Sequence, residues 1–283
     1  MMNLSHINSK SPELPSETYT RLYKIFKDKQ WSQIGEMDEP WFDNFCQLLA
    51  SMDEAQCDMI LTLTEKFLWV KDGDYLSQFI HVFDLFVSTY QFKRGKKICI
   101  CPLIAKEDFY KVKSSLFLFY KIKACFTSFE SKYPEFNICC AEFPTAVNFN
   151  KIKNEYTLCL IDDFVGTGET VRGAMSFFGN EGISVDMATI ISLVGMEEGI
   201  NNLKKDGYDI YCGAICQKGI TNTENEDTYS ELMCRLEEKM RVNDSNKFGY
   251  GHSEALVKML RTPNNTFPIY WLQKNNPYAP FPR

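Results

Sequence analysis

The sequence predicts an α/β protein with a parallel sheet, preceded by a helical region, and two observations support this. After Gly95, short apolar runs alternate with stretches of helical length, an order typical of strand–helix–strand units. From about residue 17 to 92, apolar residues instead recur at the spacing of amphipathic helices. We therefore predict a helical N-terminal domain over residues 1–95 and an α/β domain over residues 96–283.

In the helical region, Ser51 to Glu54 has the form of a capping box before a helix. Apolar positions then follow at helical spacing: Met59, Ile60, Leu63 and Phe67, and further on Tyr75, Leu76, Phe79, Ile80, Phe83 and Phe86. The many aromatics favour a packed core over a cofactor site. The region is predicted to be a helical scaffold or a module that docks a protein partner.

In the second half, the strand-like runs are apolar nearly throughout, as in parallel strands covered on both faces. They are KICICPLI (97–104), FNICCAEF (136–143), YTLCLID (156–162), VDMATIISLV (185–194) and DIYCGAI (209–215). Helices are expected between them at Ser115–Phe129, Thr170–Phe178 and Glu197–Lys205.

Composition narrows the function classes. The 283 residues are 45% hydrophobic with net charge −6, which is typical of a globular chain and argues against extended nucleic-acid binding. No apolar run is long enough to cross a membrane, and the polar N-terminus does not resemble a signal peptide. Several of the 11 cysteines lie in strand-like runs, so they are expected to be reduced core residues of a cytoplasmic protein. With three histidines and no CxxC, a structural zinc site is not expected.

The stretch LIDDFVGTGET (160–170) carries the clearest chemical signal. Strand 156–161 is expected to end at Asp162 and Asp163, where ligands of open α/β sheets bind. The loop Gly166-Thr167-Gly168-Glu169-Thr170 then leads into a helix, so its amides and hydroxyls suit a phosphate monoester. The two carboxylates suit the 2′- and 3′-hydroxyls of a ribose. The loop lacks the ending of a Walker A motif. The structural alternative is a tight turn with an acidic N-cap.

LCLIDDFVGTGETV resembles the signature of type I phosphoribosyltransferases, which transfer a 5-phosphoribosyl group from 5-phosphoribosyl-1-pyrophosphate (PRPP), with Mg²⁺ on the pyrophosphate. The resemblance implies a Rossmann-like phosphoribosyltransferase domain with a C-terminal hood. It implies that Asp162 and Asp163 contact the ribose and are candidate ligands of Mg²⁺. It also implies that the 5-phosphate is bound by Gly166, Thr167, Gly168, Glu169 and Thr170. The sequence departs from the family at Gly166, where purine-salvage members have an acid, and at Glu169, where many have glycine.

Two further stretches are candidate parts of the site. Lys113, Ser114 and Ser115, at the start of a predicted helix, are candidates to hold pyrophosphate, with Lys113 acting on the leaving group. The alternative is a surface lysine before a capped helix. Near the C-terminus, Asn264 and Asn265 are candidates to read a base edge, and Tyr270 or Trp271 to stack on it. The alternative there is a structural turn.

Together, the helical half, KSS, DDFVGTGET, TPNNTFPIYW and the terminal PFPR resemble a divergent phosphoribosyltransferase-like family of bacterial conflict systems. The resemblance implies an antiviral defence effector that binds PRPP or a related nucleotide and transfers or cleaves a phosphoribosyl group. Two alternatives to an enzyme stay open. One is a non-catalytic sensor of PRPP or nucleotide, and the other is a helical adaptor with an inactive α/β domain.

Overall fold

A five-stranded, entirely parallel sheet is the centre of the α/β part of the molecule. The structure is a computed structural model, and it describes residues 14–32, 40–92 and 95–283. The strands are β1 (Leu68–Trp69), β2 (Lys97–Pro102), β3 (Asn137–Cys140), β4 (Thr157–Val165), β5 (Ala188–Met196), β6 (Asp209–Cys216) and β7 (Val257–Lys258). The sheet order is β3-β2-β4-β5-β6, while β1 pairs with β7. The predicted parallel α/β fold is confirmed.

Helices occupy both the N-terminal region and the connections between strands. They are α1 (Ser16–Asp28), α2 (Trp41–Ala50), α3 (Glu54–Glu65), α4 (Tyr75–Thr89), α5 (Ser114–Ala124), α6 (Phe126–Lys132), α7 (Phe149–Asn154), α8 (Glu169–Asn180), α9 (Glu197–Lys205), α10 (Glu226–Met240) and α11 (Pro268–Trp271). The predicted helical N-terminal region is therefore present. None of the helices in the described stretches is both long and apolar enough to cross a membrane.

The capping box before α3 lies two residues later than the sequence pattern placed it. Asp53 is the N-cap, its side chain accepts from the Gln56 amide, and the Gln56 side chain accepts from the Asp53 amide. The Ser51 hydroxyl instead donates to the Leu48 carbonyl at the end of α2. Asp53 takes the role because Ser51 is itself the C-cap of α2, so its side chain serves the preceding helix.

The chain forms two compact units. Unit 1 consists of Met1–Leu68, Gly219–Leu256 and Asn264–Arg283, and unit 2 of Trp69–Lys218 and Val257–Pro263. The C-terminal stretch predicted to form a hood therefore belongs largely to unit 1, with α1 to α3. The domain boundary predicted near residue 95 stays a prediction, but α4, which precedes it, packs on β5 and β6 in unit 2.

Unit 1 is organised around an aromatic core. Phe281 contacts Trp31, Trp41, Phe45 and Phe67, with ring centroids 5.2–5.8 Å apart. Edge-to-face and tilted pairs at this spacing add to the free energy gained by burying the rings. The last turn of the chain is thus held by helices from its beginning.

Unit 2 buries its sheet on both faces. All nine residues of β5 are buried, because α4 and α5 cover one face and α7, α8 and α9 the other. On the α8 face, Leu158 and Leu160 of β4 pack with Val171, Ala174 and Phe178 of α8. Burial on both faces explains why the strands read as continuous apolar runs and why two carboxylates in β4 stand out.

Candidate functional site

Asp162 and Asp163 lie inside β4 and not beyond its end. The sequence placed the strand end near residue 161, whereas β4 continues to Val165, and its pairing with β5 runs from Leu158↔Ala188 to Val165↔Gly195. Neighbouring residues of a strand point to opposite faces of the sheet. Asp162 therefore shares its face with Leu158 and Leu160, and Asp163 points to the face covered by α4 and α5.

Asp163 is only 2% exposed, and both of its carboxylate oxygens have side-chain partners. Ser114 Oγ donates to Oδ1 at 2.6 Å, and the Tyr75 hydroxyl donates to Oδ2 at 3.1 Å. The Tyr75 oxygen in turn accepts from the Leu260 amide at 2.8 Å. Burial and the nearby Asp163 charge raise the pKa of Tyr75, which keeps its hydroxyl protonated as a donor. Asp163 is thus fixed by two helices and by the segment around Leu260.

Asp162 has fewer partners. One of its oxygens, Oδ1, accepts from the Asp163 amide at 2.9 Å, and the residue is 8% exposed. Burial raises the pKa of both carboxyls, and the negative charge of Asp163 raises that of Asp162 further. The hydroxyls of Ser114 and Tyr75 partly offset burial at Asp163. Of the pair, Asp163 is the better stabilised anion and Asp162 the carboxyl open to a new donor.

The loop after β4 presents backbone amides that are not bonded within the described part of the chain. Across the described residues, no protein acceptor is found for the amides of Gly166, Thr167, Gly168 or Thr170. Gly168 has φ +85°, in the left-handed region, and is the N-cap of α8. Glu169 is exposed, and its amide donates to Thr167 Oγ1 at 3.4 Å. Amides at the start of a 12-residue helix suit an anion, and the Glu169 carboxylate lies on the solvent side.

Helix α9 packs closely against the backbone of this loop. A Cβ atom on Gly199 would lie 1.8 Å from the Gly166 carbonyl oxygen, so only glycine allows this approach. Arg172 adds a second brace, because its guanidinium donates to the Thr167 carbonyl at 3.2 Å and pairs with Asp206 at 2.7 Å. The loop is therefore positioned before any ligand arrives.

The three predicted pyrophosphate residues have different surroundings. Lys113 is the N-cap of α5, and its ammonium pairs with Asp108 at 2.7 Å, while its charge also acts to lower the pKa of Asp162. Ser114 donates to Asp163 through its hydroxyl. Ser115 is 1% exposed and donates to the Leu103 carbonyl at 3.0 Å. Lys113 and Ser114 thus lie close to the acids, whereas Ser115 has a structural partner.

The four residues predicted to form a base pocket belong to unit 1. Tyr270 is fully buried, with its ring 4.8 Å from that of Phe67 and its hydroxyl near Thr64. Trp271 donates to the Thr266 carbonyl at 2.7 Å, and Asn265 donates to Ser253 at 2.8 Å. Asn264 is partly exposed, and its main-chain carbonyl accepts from the Tyr250 amide. These contacts serve the packing of unit 1. The base-reading role stays a prediction.

Asp162 and Asp163 are also the residues predicted to face Mg²⁺. The described residues contain no group of three or more Asp, Glu, His or Cys side chains arranged for a metal. Mg²⁺ is commonly held by one or two carboxylates together with substrate phosphates, so such a cage is not required. Asp163 has both oxygens occupied by hydroxyl donors. The donor set therefore fits Mg²⁺ with Asp162, which has fewer hydrogen-bond donors, as a protein ligand and a diphosphate supplying most of the others.

The acid pair and the loop lie in a stretch of the chain that matches a known protein family. The profile of the family described as PRTase-CE matches residues 135–283, a little over half of the chain. The chain belongs to the PRTase-CE family. The match includes both acids, the loop and α9, so the phosphoribosyltransferase-like assignment made from the sequence is confirmed. In this PRTase-CE protein, Tyr75, Lys113 and Ser114 lie outside the matched residues.

Among solved structures, the chain is similar to orotate phosphoribosyltransferase from Aeropyrum pernix, with 12% identity, 51% of this chain and 72% of the other covered, and a TM-score of 0.32. It is also similar to hypoxanthine-guanine phosphoribosyltransferase from Schistosoma mansoni, with 10% identity, coverages of 51% and 62%, and a TM-score of 0.28. A protein from Aquifex aeolicus matches at 10% identity, coverages of 65% and 88%, and a TM-score of 0.32. No curated protein matches the sequence significantly.

Sequence reasoning missed the partners that fix the acid pair. Tyr75 was taken as one member of an aromatic core stripe, and its ring is indeed buried, but its hydroxyl bonds Asp163. Nothing in the spacing of that stripe distinguishes Tyr75 from Phe79. The only available signal was its hydroxyl, since a buried tyrosine usually requires a hydrogen-bond partner. The role of Gly199 could not be predicted from the sequence either, because it depends on a close contact with Gly166, which is distant in sequence.

Proposed function

We propose that the site formed by β4, α8 and α5 binds the 5-phosphoribosyl group of PRPP or of a related nucleotide. One observation carries this proposal: a buried acid pair is followed directly by a braced loop whose amides at residues 166, 167, 168 and 170 have no acceptor among the described residues. An anion at that loop and a polyol beside the acids satisfy both groups at once. A 5-phosphorylated ribose has this combination.

Each part of the loop then has a defined task. The four amides and the hydroxyls of Thr167 and Thr170 donate to the 5-phosphate, and the N-terminus of α8 adds positive potential. Asp162 accepts from a ribose hydroxyl. Asp163, held by Ser114 and Tyr75, supplies the neighbouring fixed negative charge.

The same arrangement suits cleavage of the anomeric bond. Positive charge develops on the sugar in the transition state, and the acid pair lies where it would stabilise that charge. Lys113 lies close enough to affect the charge of Asp162 and is the candidate to stabilise departing pyrophosphate. Bound Mg²⁺ would neutralise the diphosphate, with Asp162 as the protein ligand. The proposed reaction is transfer of phosphoribosyl to a nucleophile, or cleavage of a related ribosyl bond.

The test is calorimetry of the purified chain with PRPP and Mg²⁺, together with a pyrophosphate-release assay. Asp162→Asn is expected to lower pyrophosphate release by at least about a hundredfold, a loss typical of removing a group that stabilises transition-state charge. Asp244→Asn, an exposed member of an ion pair with Lys247 in unit 1, is the matched control and should bind and turn over as the wild type. Absence of PRPP binding by the wild type would overturn the proposal.

A non-catalytic sensor is the second candidate. Gly166 offers no side chain to assist an acceptor base. This observation favours binding over turnover. Tight PRPP or nucleotide binding with no pyrophosphate release, and with ligand recovered unchanged, would select the sensor over the transferase.

The role in antiviral defence and the protein partner for the helical region stay predictions. We propose that a ribosyl-containing ligand at the β4–α8 loop controls a partner bound through α1 to α3. Plating phage on cells carrying the native gene neighbourhood, with wild-type chain or Asp162→Asn, tests it. Equal protection by both chains would remove the ligand site from any defence role.

A further inference from the structure

Two cysteines face each other across neighbouring strands, away from the candidate ligand site. Cys99 of β2 is in register with Cys139 of β3, and both side chains join the cluster on the α8 face of the sheet. Paired strands lie about 4.8 Å apart, and disulfides usually join Cα atoms roughly 4.4–6.8 Å apart. The strand pairing therefore already holds these sulfurs within reach of one covalent bond.

The two thiols have different environments. Cys99 is 5% exposed, whereas Cys139 is partly exposed. A hydrogen bond from Cys99 and the charge of Lys151 lower the pKa of Cys139 to about 7, while the same hydrogen bond and burial raise the pKa of Cys99. The thiolate is the reactive form of cysteine, so at neutral pH Cys139 is the nucleophile of the pair. Cys140, next in the strand, points to the opposite face.

We propose that Cys139 is a peroxide-reactive thiol and that Cys99 resolves it to a reversible Cys99–Cys139 disulfide. The Cys139 thiolate attacks hydrogen peroxide, forming a sulfenic acid and releasing hydroxide. The Cys99 sulfur then attacks the sulfenic sulfur, and the departing oxygen leaves as hydroxide. The proton lost from each thiol ends on one of these hydroxides, so two thiols and one peroxide give one disulfide and two waters.

The geometry also makes the disulfide easy to reduce. Cys139 is partly exposed, and β3 is a four-residue strand at the edge of the sheet, so a small thiol can reach the bond. An exposed disulfide has a more oxidising potential than a buried structural one and is reduced by glutathione.

The experiment treats the purified full chain with a few equivalents of hydrogen peroxide, blocks remaining thiols with N-ethylmaleimide, and maps modified peptides by mass spectrometry. Cys46 is the internal reference, because it is also partly exposed but burial and Asp43 raise its pKa to about 11. Cys139 is expected to be oxidised at least about tenfold faster than Cys46. The product should be a peptide pair joined through Cys99 and Cys139, lost on adding glutathione.

Variants separate the two steps. Cys99→Ser should leave a Cys139 sulfenic acid that a 1,3-dione reagent traps, and Lys151→Met should slow the first step several-fold. Both readouts are accompanied by circular dichroism to confirm the fold, and the wild-type measurement does not depend on either variant. Equal oxidation of Cys139 and Cys46, or a disulfide joining Cys139 to another cysteine, would overturn the proposal.

Discussion

At the scale of single residues, the Tyr75 hydroxyl is one of the two side-chain donors that fix Asp163. Tyr75→Phe removes a donor from a buried carboxylate and leaves the Leu260 amide without its acceptor. We expect a loss of about 2 kcal/mol in the free energy of unfolding at pH 8, because an unpaired buried polar group costs roughly 1–3 kcal/mol. The loss should shrink as the pH falls, since burial raises the pKa of Asp163 and protonation removes the charge that needed the donor. Urea unfolding at pH 8 and pH 5 measures it.

Tyr229→Phe is the matched control for this substitution. The Tyr229 hydroxyl also donates to a carboxylate, that of Asp58, at 3.0 Å, but the Asp58 side chain is 57% exposed in unit 1 and can be hydrated. Its loss should cost less than about 1 kcal/mol and should not change between pH 5 and 8. If the two variants behave alike, the Tyr75 hydroxyl has no special relation to Asp163.

Glu237 makes a second residue-scale prediction, on the pH dependence of stability. It is fully buried and accepts from the Phe248 amide through both oxygens at 3.0 Å, and burial raises its pKa from 4.5 to about 7. Between these values the folded chain binds more protons than the unfolded chain, so this group lowers stability as the pH rises. The change amounts to at most about 3 kcal/mol between pH 4.5 and 7.5. Subtracting urea curves of Glu237→Gln from wild type isolates it, and an unchanged difference would refute the raised pKa.

At the scale of elements, the site depends on how closely α9 approaches the loop between β4 and α8. Gly199→Ala places a methyl group where the Gly166 carbonyl lies, so the loop must shift away from α9. We expect PRPP affinity to fall at least about tenfold and stability to fall by about 1–3 kcal/mol, the usual cost of overpacking. Gly179→Ala in α8 is the control, since a Cβ there meets nothing within 4 Å. Calorimetry and urea unfolding of both variants decide it, and unchanged affinity in Gly199→Ala contradicts the idea that α9 positions the loop.

The elements also show what the sequence could and could not predict. β2, β4 and β5 were predictable because strands buried on both faces need apolar residues nearly throughout. The predicted end of β4 was wrong. Carboxylates are rare inside buried strands, so Asp162 was interpreted as the residue that ends the strand. The capping box was displaced because two neighbouring helices compete for the side chains between them. Contacts such as Tyr75 to Asp163 join residues 88 apart in sequence, and no local pattern contains them.

At the scale of the whole molecule, each unit is built from separated stretches of chain. Removing residues 1–95 tests the predicted domain boundary, because the remaining 96–283 would lose α4 from the sheet and α1 to α3 from unit 1. Phe281 and Tyr270 would lose their contacts with Phe45 and Phe67, and Asp163 would lose Tyr75. We expect this fragment to aggregate, or to show no cooperative transition in urea, because several buried aromatic faces become exposed at once.

Co-expressing residues 1–95 as a separate chain provides the control. If the missing helices act only through packing, the two pieces should assemble, restore solubility and recover PRPP binding without a peptide bond at residue 95. A fragment 96–283 that unfolds cooperatively on its own would contradict the expectation and support a domain boundary at residue 95. The two results differ in what stabilises unit 2. If the pieces must reassemble, α4 is part of the α/β domain, since the burial of one face of its sheet depends on that helix. If the fragment unfolds cooperatively on its own, the sheet is stable without α4.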